Sequence, residues 1–137
     1  MKINCNCTIY NKFIAPATRT EIYQRVLIMG VYWENRRAVN RIRSANLNDD
    51  KAMIIIPFGR GANYLDPRAW QALTSKTGKW TLQEGDVVVK HLVTDEISSS
   101  FTVAALEKKY DDVLKITSVD VMDQGSTHMQ HWRIGAA

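Results

Sequence analysis

The sequence has few of the features that mark specialised protein classes. Only two of its 137 residues are cysteines, too few for a disulfide scaffold. No apolar run approaches the roughly 20 residues that a membrane-spanning helix needs, and no apolar segment of a Sec-type signal follows Lys2. With 45% hydrophobic and 23% charged residues, the composition excludes wholesale disorder and a collagen-like chain. We therefore predict one soluble domain, residues 1–137, in a reducing compartment.

Most of the chain predicts β-strands. Short β-branched and apolar segments separated by turns are typical of strands, and here they are residues 7–10, 22–33, 37–43, 52–56, 87–93, 113–119 and 129–134. The second strand is too apolar in its middle, at 26–29, to show one clean alternation. Gly30 within it predicts a bulge or bend of the kind that closes a small barrel. Residues 37–43 fit a strand better than a helix, because extension places Arg37, Arg41 and Arg43 on one face.

Two short helices complete the prediction. Asp66 as N-cap before Pro67 predicts a helix over 66–73, and Thr102 caps a second over 102–110. Residues 58–82 are otherwise the least regular part of the chain. The fold class is therefore mainly β: a small antiparallel β-barrel, or a sandwich, with one or two short α-helices and a long irregular loop.

The residue patterns of active sites and metal centres are weak or missing. A structural zinc needs about four nitrogen or sulfur ligands, and Cys5 and Cys7 could be joined only by three scattered histidines, His91, His128 and His131. The sequence has no GxSxG nucleophile elbow. Its Gly-Arg-Gly at 59–61 lacks the ending of a phosphate-binding P-loop, so a mobile loop is the favoured interpretation. We predict no catalytic residue, no metal and no cofactor.

The net charge of +4 is unevenly distributed. Residues 1–45 carry eight basic and two acidic residues, a net +6, whereas residues 46–137 carry ten basic and twelve acidic residues, a net −2. Such a division suits contact with a polyanion or with a copy of the chain, although a solvated basic edge strand is the alternative. The candidates for facing DNA or a neighbouring subunit are Arg36, Arg37, Arg41, Arg43 and Arg60. Since no known DNA-reading motif accompanies them, a sequence-specific DNA reader is disfavoured.

Four tryptophans, at 33, 70, 80 and 132, have two interpretations. Each indole buries a large surface, so in a chain of this size some of them must belong to the core. In the irregular region, however, Tyr64, Leu65 and Trp70 are also candidates for a protein–protein interface, where aromatic anchors are common. The sequence leaves this choice open.

Short segments with a distinctive order run through nearly the whole chain. They are Ile-Tyr-Asn-Lys at 9–12, Tyr-Gln-Arg at 23–25, Gly-Val-Tyr-Trp-Glu at 30–34, Ile-Ile-Pro-Phe at 55–58, Pro67 with Trp70, Gly-Lys-Trp-Thr-Leu-Gln-Glu-Gly-Asp at 78–86, Tyr-Asp-Asp-Val at 110–113, Ile-Thr-Ser-Val-Asp at 116–120 and Gln-His-Trp at 130–132. In this order they resemble small structural proteins encoded beside the capsid genes of tailed phages and prophages of Gram-positive bacteria. Such proteins are minor capsid or head–tail connector (head-completion, stopper) proteins.

The resemblance implies a β-barrel that forms a ring in the neck of the virion and is assembled in the host cytoplasm. It implies as partners further copies of the chain in a six-fold or twelve-fold ring, the adaptor or portal complex on the head side, tail-terminator or other tail proteins on the opposite side, and packaged double-stranded DNA in the lumen. It implies no membrane. Within the virion, a tail-terminator or tail-tube ring subunit is the alternative, and a free nucleic-acid-binding phage protein is the rival from another class.

A plug in such a ring needs a loop that can change its arrangement. Residues 58–80 are the first candidate for this loop and residues 94–101 the second. An ordinary surface loop is the alternative interpretation for both.

Overall fold

A computed structural model describes residues 3–35, 51–126 and 128–137. The strands are β1 (Cys5–Ile14), β2 (Glu21–Asn35), β3 (Ala52–Pro57), β4 (Val87–Lys90), β5 (Val113–Met122) and β6 (His131–Ala136). The helices are α1 (Pro67–Gln71) and α2 (Val103–Lys109), and a single 3₁₀ turn spans Phe58–Arg60. The strand predicted at residues 37–43 lies outside the described residues.

The described strands close into an antiparallel barrel. Their order is β1-β2-β3-β6-β5-β4, and β4 pairs back onto β1. The structure is thus mainly β with two short α-helices, which confirms the predicted fold class. In this order each described strand has two neighbours, although β2 and β5 each pair with one neighbour along part of their length and with the other neighbour along the rest.

The two long strands β2 and β5 form the corners of the barrel. The first part of β2 pairs with β1 and its last four residues pair with β3, while β5 passes from β4 to β6. At the first corner Gly30 has no partner between Met29 and Val31, and its φ is +83°. This confirms the predicted bulge, since glycine adopts positive φ without steric cost. At the second corner the register shifts between Ile116 and Ser118 of β5, opposite Gly135 and Ala136 of β6.

The barrel interior is filled by alternating residues of its strands and by residues of the irregular segment. Three tryptophans are buried there, Trp33, Trp80 and Trp132, so the core interpretation holds for these three. Trp80 and Leu82 enter the core from the end of the irregular segment. That segment is therefore partly built into the barrel.

Residues 91–110, which we call the outer segment, pack against the outside of the barrel. Val93 and Leu106 of this segment bury Tyr10 of β1 and Val87 and Val89 of β4 in a second apolar cluster. Within it α2 begins as predicted, because the Thr102 hydroxyl accepts a hydrogen bond from the backbone amide of Ala105 at 3.3 Å.

Several predicted boundaries and one predicted cap differ from the structure; for example, β5 runs on to Met122, β6 spans His131–Ala136 and α1 ends at Gln71. The strand predicted over 87–93 ends at Lys90, because His91 takes a φ of +72° and the amide of Val93 binds the Thr8 hydroxyl instead of a neighbouring strand. β1 is longer than predicted and runs on to Ile14. Asp66 occupies the N-cap of α1 as expected, but its side chain makes no capping hydrogen bond. No helix in the three described ranges is long and apolar enough to cross a bilayer.

Candidate functional site

Of the five arginines predicted to face DNA or a neighbouring subunit, one, Arg60, lies within the described residues. Arg36, Arg37, Arg41 and Arg43 lie outside the described residues. Arg60 is exposed and its Nε donates a hydrogen bond to the carbonyl oxygen of Gly30 at 3.3 Å. A Cβ at position 30 would lie 2.6 Å from the Arg60 guanidinium. Arg60 therefore covers the β2 corner.

Trp70 belongs to the core of this chain. Its side chain is fully buried, it packs edge-on against Phe13 with ring centroids 5.6 Å apart, and its indole Nε1 donates to the carbonyl of Lys79 at 3.2 Å. An indole without accessible surface cannot anchor a partner. The interface interpretation is therefore corrected for this residue, because α1 and the turn after it fold over the ring.

Tyr64 and Leu65, the other two interface candidates, remain partly exposed. The Tyr64 ring packs on Trp80 and Trp132, with centroid distances of 5.1 and 4.4 Å. The amide of Leu65 donates to the carbonyl of Trp80 at 2.9 Å. These contacts tie the middle of the predicted switch loop, residues 58–80, to the barrel instead of letting it project from the surface.

A buried polar network joins two distant segments of the chain, residues 9–12 and 78–86. The Asn11 amide nitrogen donates to the carbonyl of Thr81 at 2.7 Å and to Asp86 Oδ2 at 2.8 Å, and its oxygen accepts from the amide of Thr81 at 3.1 Å. Asp86 also accepts from the amide of Lys12 at 3.0 Å and from the Gln83 side chain at 3.1 Å. Segments 9–12 and 78–86 are thereby joined across most of the chain.

Asp86 holds this network together by accepting hydrogen bonds from three residues. Burial raises the pKa of its carboxyl, and hydrogen bonds from Gln83, Lys12 and Asn11 oppose that rise. Both carboxylate oxygens are occupied by donors of the same chain and the side chain is 1% exposed. A general acid or base must reach a substrate proton, so this geometry suits a structural role.

The cysteines and histidines do not form a metal centre within the described residues. Cys5 Sγ lies 3.8 Å from Nδ1 of His91, but no group of three or more histidine, cysteine, aspartate or glutamate side chains suited to a metal ion occurs in that part of the chain. Cys7 is fully buried, and burial raises the pKa of its thiol far above the ordinary value. A buried thiol of this kind is unreactive.

A groove of about 660 Å³ lies between the start of β2 and the outer segment. Its lining residues are Thr20, Glu21, Ile22, Tyr23, Ile97, Ser98, Ser99, Thr102 and Val103. Glu21 is the one carboxylate in this lining. The groove is therefore suited to holding an apolar group and lacks a pair of acidic side chains for acid–base chemistry.

Exposed apolar side chains form a first patch on β2 and beside it, which we call the β2 patch: Leu27, Met29 and Leu92. They are 44%, 63% and 41% exposed. Leu27 and Met29 share one face of the strand. Leu92 lies next to them because the Thr8 hydroxyl, opposite Leu27, donates to the carbonyl of His91 and accepts from the amide of Val93.

A second apolar patch lies at the turn between β5 and β6, and we call it the hairpin patch: Val121, Met122 and Met129. Their side chains are 53%, 37% and 66% exposed. These three residues line one shallow cavity of about 370 Å³. Exposed apolar clusters of this kind mark interaction sites more often than isolated apolar residues do.

Sequence reasoning missed all six patch residues, although one signal was present. The unbroken apolar run at 26–29 indicates that both faces of β2 carry apolar side chains, and only one face can point into the barrel. For the hairpin patch the sequence contains no comparable signal.

Comparison with known proteins identifies a family but no activity. The model of a family of unknown function, DUF6751, matches residues 2–137. No curated protein and no solved structure matches the chain. The description of this family names no substrate, ligand or partner.

Proposed function

The chain belongs to DUF6751, a family of unknown function, and we propose that it is a structural protein of the tailed-phage neck. In this role it forms a ring that joins the DNA-filled head to the tail and helps to retain the packaged DNA. A tail-terminator or tail-tube ring subunit is the alternative position in the virion. A free nucleic-acid-binding phage protein is less favoured.

The location of the two apolar patches on a closed barrel carries this proposal. β2 and β5 are separated by two strands in either direction around the barrel, so they lie on opposite sides. Exposed apolar patches of this kind are surfaces through which such a barrel can associate with a partner. Two different patches on opposite sides suit head-to-tail contacts, and such contacts form a ring when the rotation closes.

The resemblance supports the position in the virion. The segments that carry the resemblance span residues 9–132 and are similar to those of neck proteins, whose role is to hold DNA without chemistry. In this proposal the partners are further copies of the chain, the portal-bound adaptor, the tail proteins and the DNA in the lumen. Arg60, exposed at the β2 corner, and the arginines at 36–43 are the residues proposed to face DNA or the neighbouring subunit.

The proposal is tested in particles produced by the host that carries the gene. We expect mass spectrometry of purified particles to detect the chain, and an electron-microscopy map to place it as one ring between head and tail. Deleting the gene should give filled heads that lose DNA and carry no tail. Mature particles without the chain would contradict the proposal.

The same map separates the alternatives. A tail-tube subunit would occur in many stacked rings, and a tail terminator would lie at the tail side of the neck. A nucleic-acid-binding protein would be absent from the particle and would bind DNA as a monomer with steep salt dependence.

A further inference from the structure

We propose that neighbouring copies of this chain join by seating the hairpin patch of one copy on the β2 patch of the next. The inference rests on the proposed ring and adds which surfaces form it. It follows from the charges that surround the two patches, which have opposite signs.

The rim of the β2 patch is basic. Arg25 shares the strand face of Leu27, and its Nη1 donates to the carbonyl of Val93 at 3.0 Å, which holds the guanidinium beside Leu92. Arg60 lies at the other end, bound to the carbonyl of Gly30 next to Met29. In the outer segment, the Asp95 carboxylate is bound by the ammonium of Lys109 at 2.9 Å and accepts a hydrogen bond from the Tyr110 hydroxyl at 2.6 Å.

The rim of the hairpin patch is acidic. Asp120 precedes Val121, and Asp123 follows Met122 and is exposed. Asp120 pairs with Arg133 at 3.4 Å, but both side chains are about half exposed, at 51% and 47%. A surface pair of this kind contributes little to stability, so the Asp120 carboxylate can exchange its partner when a second copy binds.

The charges favour unlike over like pairing of the patches. Two β2 patches facing each other would bring the arginines of both copies together, and two hairpin patches would do the same with the aspartates. A β2 patch facing a hairpin patch instead brings Arg25 and Arg60 toward Asp120 and Asp123 around an apolar centre. Every copy then has one surface of each kind, which permits growth to a closed ring.

Cysteine cross-linking tests the pairing directly. In a Cys5→Ser background, in which the buried Cys7 stays, Met29→Cys and Val121→Cys are prepared separately and oxidised at high protein concentration, each alone and as an equal mixture. We expect a disulfide-linked dimer in the mixture and none in either variant alone. A chain carrying both cysteines should give a ladder of longer oligomers.

Matched control variants test whether the cross-link is specific to the two patches and depends on their charges. Ile14→Cys replaces an equally exposed apolar residue, 63% against 63% for Met29, outside both patches, and should not cross-link to Val121→Cys. Arg60→Glu in the Met29→Cys chain should lower the yield with Val121→Cys roughly ten-fold, which corresponds to about 1.4 kcal/mol, and Asp123→Lys in the second chain should restore it.

Several outcomes would overturn the inference. Dimers of Met29→Cys alone would indicate a symmetric contact between like patches, and no dimer in any mixture would exclude the contact. The proposed function is judged separately, by the presence of the chain in particles. If the chain is found in the neck but these cross-links do not form, the proposed function is supported and this interface is excluded. If the cross-links form but particles lack the chain, the interface is supported and the proposed function is excluded.

Discussion

The outer surfaces of β4 and of β2 both carry apolar side chains, but the chain covers only the first. Val87 and Val89 of β4 are buried beneath the outer segment. Leu27 and Met29 of β2 remain 44% and 63% exposed. The two surfaces differ in what covers them and not in the kind of side chain they present.

Polar anchors explain why the outer segment stays where it is. The Tyr10 hydroxyl donates to the backbone carbonyl of Asp95 at 2.5 Å, and the Asp95 carboxylate accepts from Tyr110 and Lys109. These bonds fix a loop and a helix over β1 and β4. Nothing in residues 3–35, 51–126 and 128–137 covers the β2 patch, and in our proposal the next copy of the chain does so.

The largest effect is expected from breaking the covered surface. Leu106 is fully buried against Tyr10 and the valines of β4, and Leu106→Ala should lower the free energy of unfolding by about 2–5 kcal/mol. Urea denaturation measures this loss. Glu107→Ala, on the exposed side of the same helix, is the control and should change stability by no more than about 0.5 kcal/mol. Equal effects of both variants would mean that the outer segment is not part of the core.

A smaller effect is expected where the backbone of β2 requires glycine. Gly30→Ala should cost about 1–2 kcal/mol, because a non-glycine residue at positive φ is strained. The added Cβ would also meet the Arg60 guanidinium. Repeating the substitution in an Arg60→Ala background removes this clash and keeps the strain. If the cost vanished there, the bulge would not depend on glycine.

The anchors of the outer segment predict a pH dependence. The hydrogen bond from Tyr110, followed by that from Lys109, holds the pKa of Asp95 below its ordinary value of 3.8. Folding therefore weakens proton binding at Asp95, and this stabilisation is complete above pH 3.8 and is lost as the pH falls through the lowered pKa. We expect Asp95→Asn to flatten the acid branch of the stability curve, measured by denaturation at a series of acidic pH values.

Asp86 gives a curve of the opposite sign in a different pH range. Its pKa is raised above 3.8 by burial, so the stability that it contributes declines as the pH rises from 3.8 through the raised value.

Asp111→Asn, at an exposed position after α2, serves as the control for Asp95→Asn. An acid branch that flattened equally in this control would argue against the anchor.

The smallest effect on stability is expected on the uncovered surface. The pair Leu27→Ser and Met29→Ser should change the free energy of unfolding by about 0.5 kcal/mol or less, since neither side chain supports the core. The same pair should abolish assembly into particles, measured by incorporation of the chain. A large loss of stability would show instead that these residues complete the fold.

The sequence predicted the parts of the fold that depend on local chemistry. The bulge at Gly30, the Thr102 cap and Pro67 at the start of α1 each follow from one residue type with a strong conformational preference. The second corner, near Thr117, was not predicted, because the shifted strand has no glycine there and its partner Gly135 is distant in sequence. The sequence left open whether Trp70 is buried, since its burial depends on contacts with Phe13 and Lys79.

The candidate site was less accessible to prediction than the fold. The exposed side chains Leu27 and Met29 have the same apolar character as the buried Ile28 between them. Only the closed barrel decides which of them point outward. Arg60 was named from its charge, but its place beside the β2 patch depends on the fold of the segment after β3.

By itself the amino-acid sequence determined the mainly β character, the position of one corner and both helix starts, because hydrophobic pattern and backbone preference act over a few residues. The tertiary structure decided which apolar surfaces the chain covers, how Asn11 meets Asp86, and that two exposed patches lie on opposite strands of the barrel. These features depend on the pairing of strands that are distant in sequence. A local sequence pattern does not show which distant residue becomes the neighbour of a given side chain.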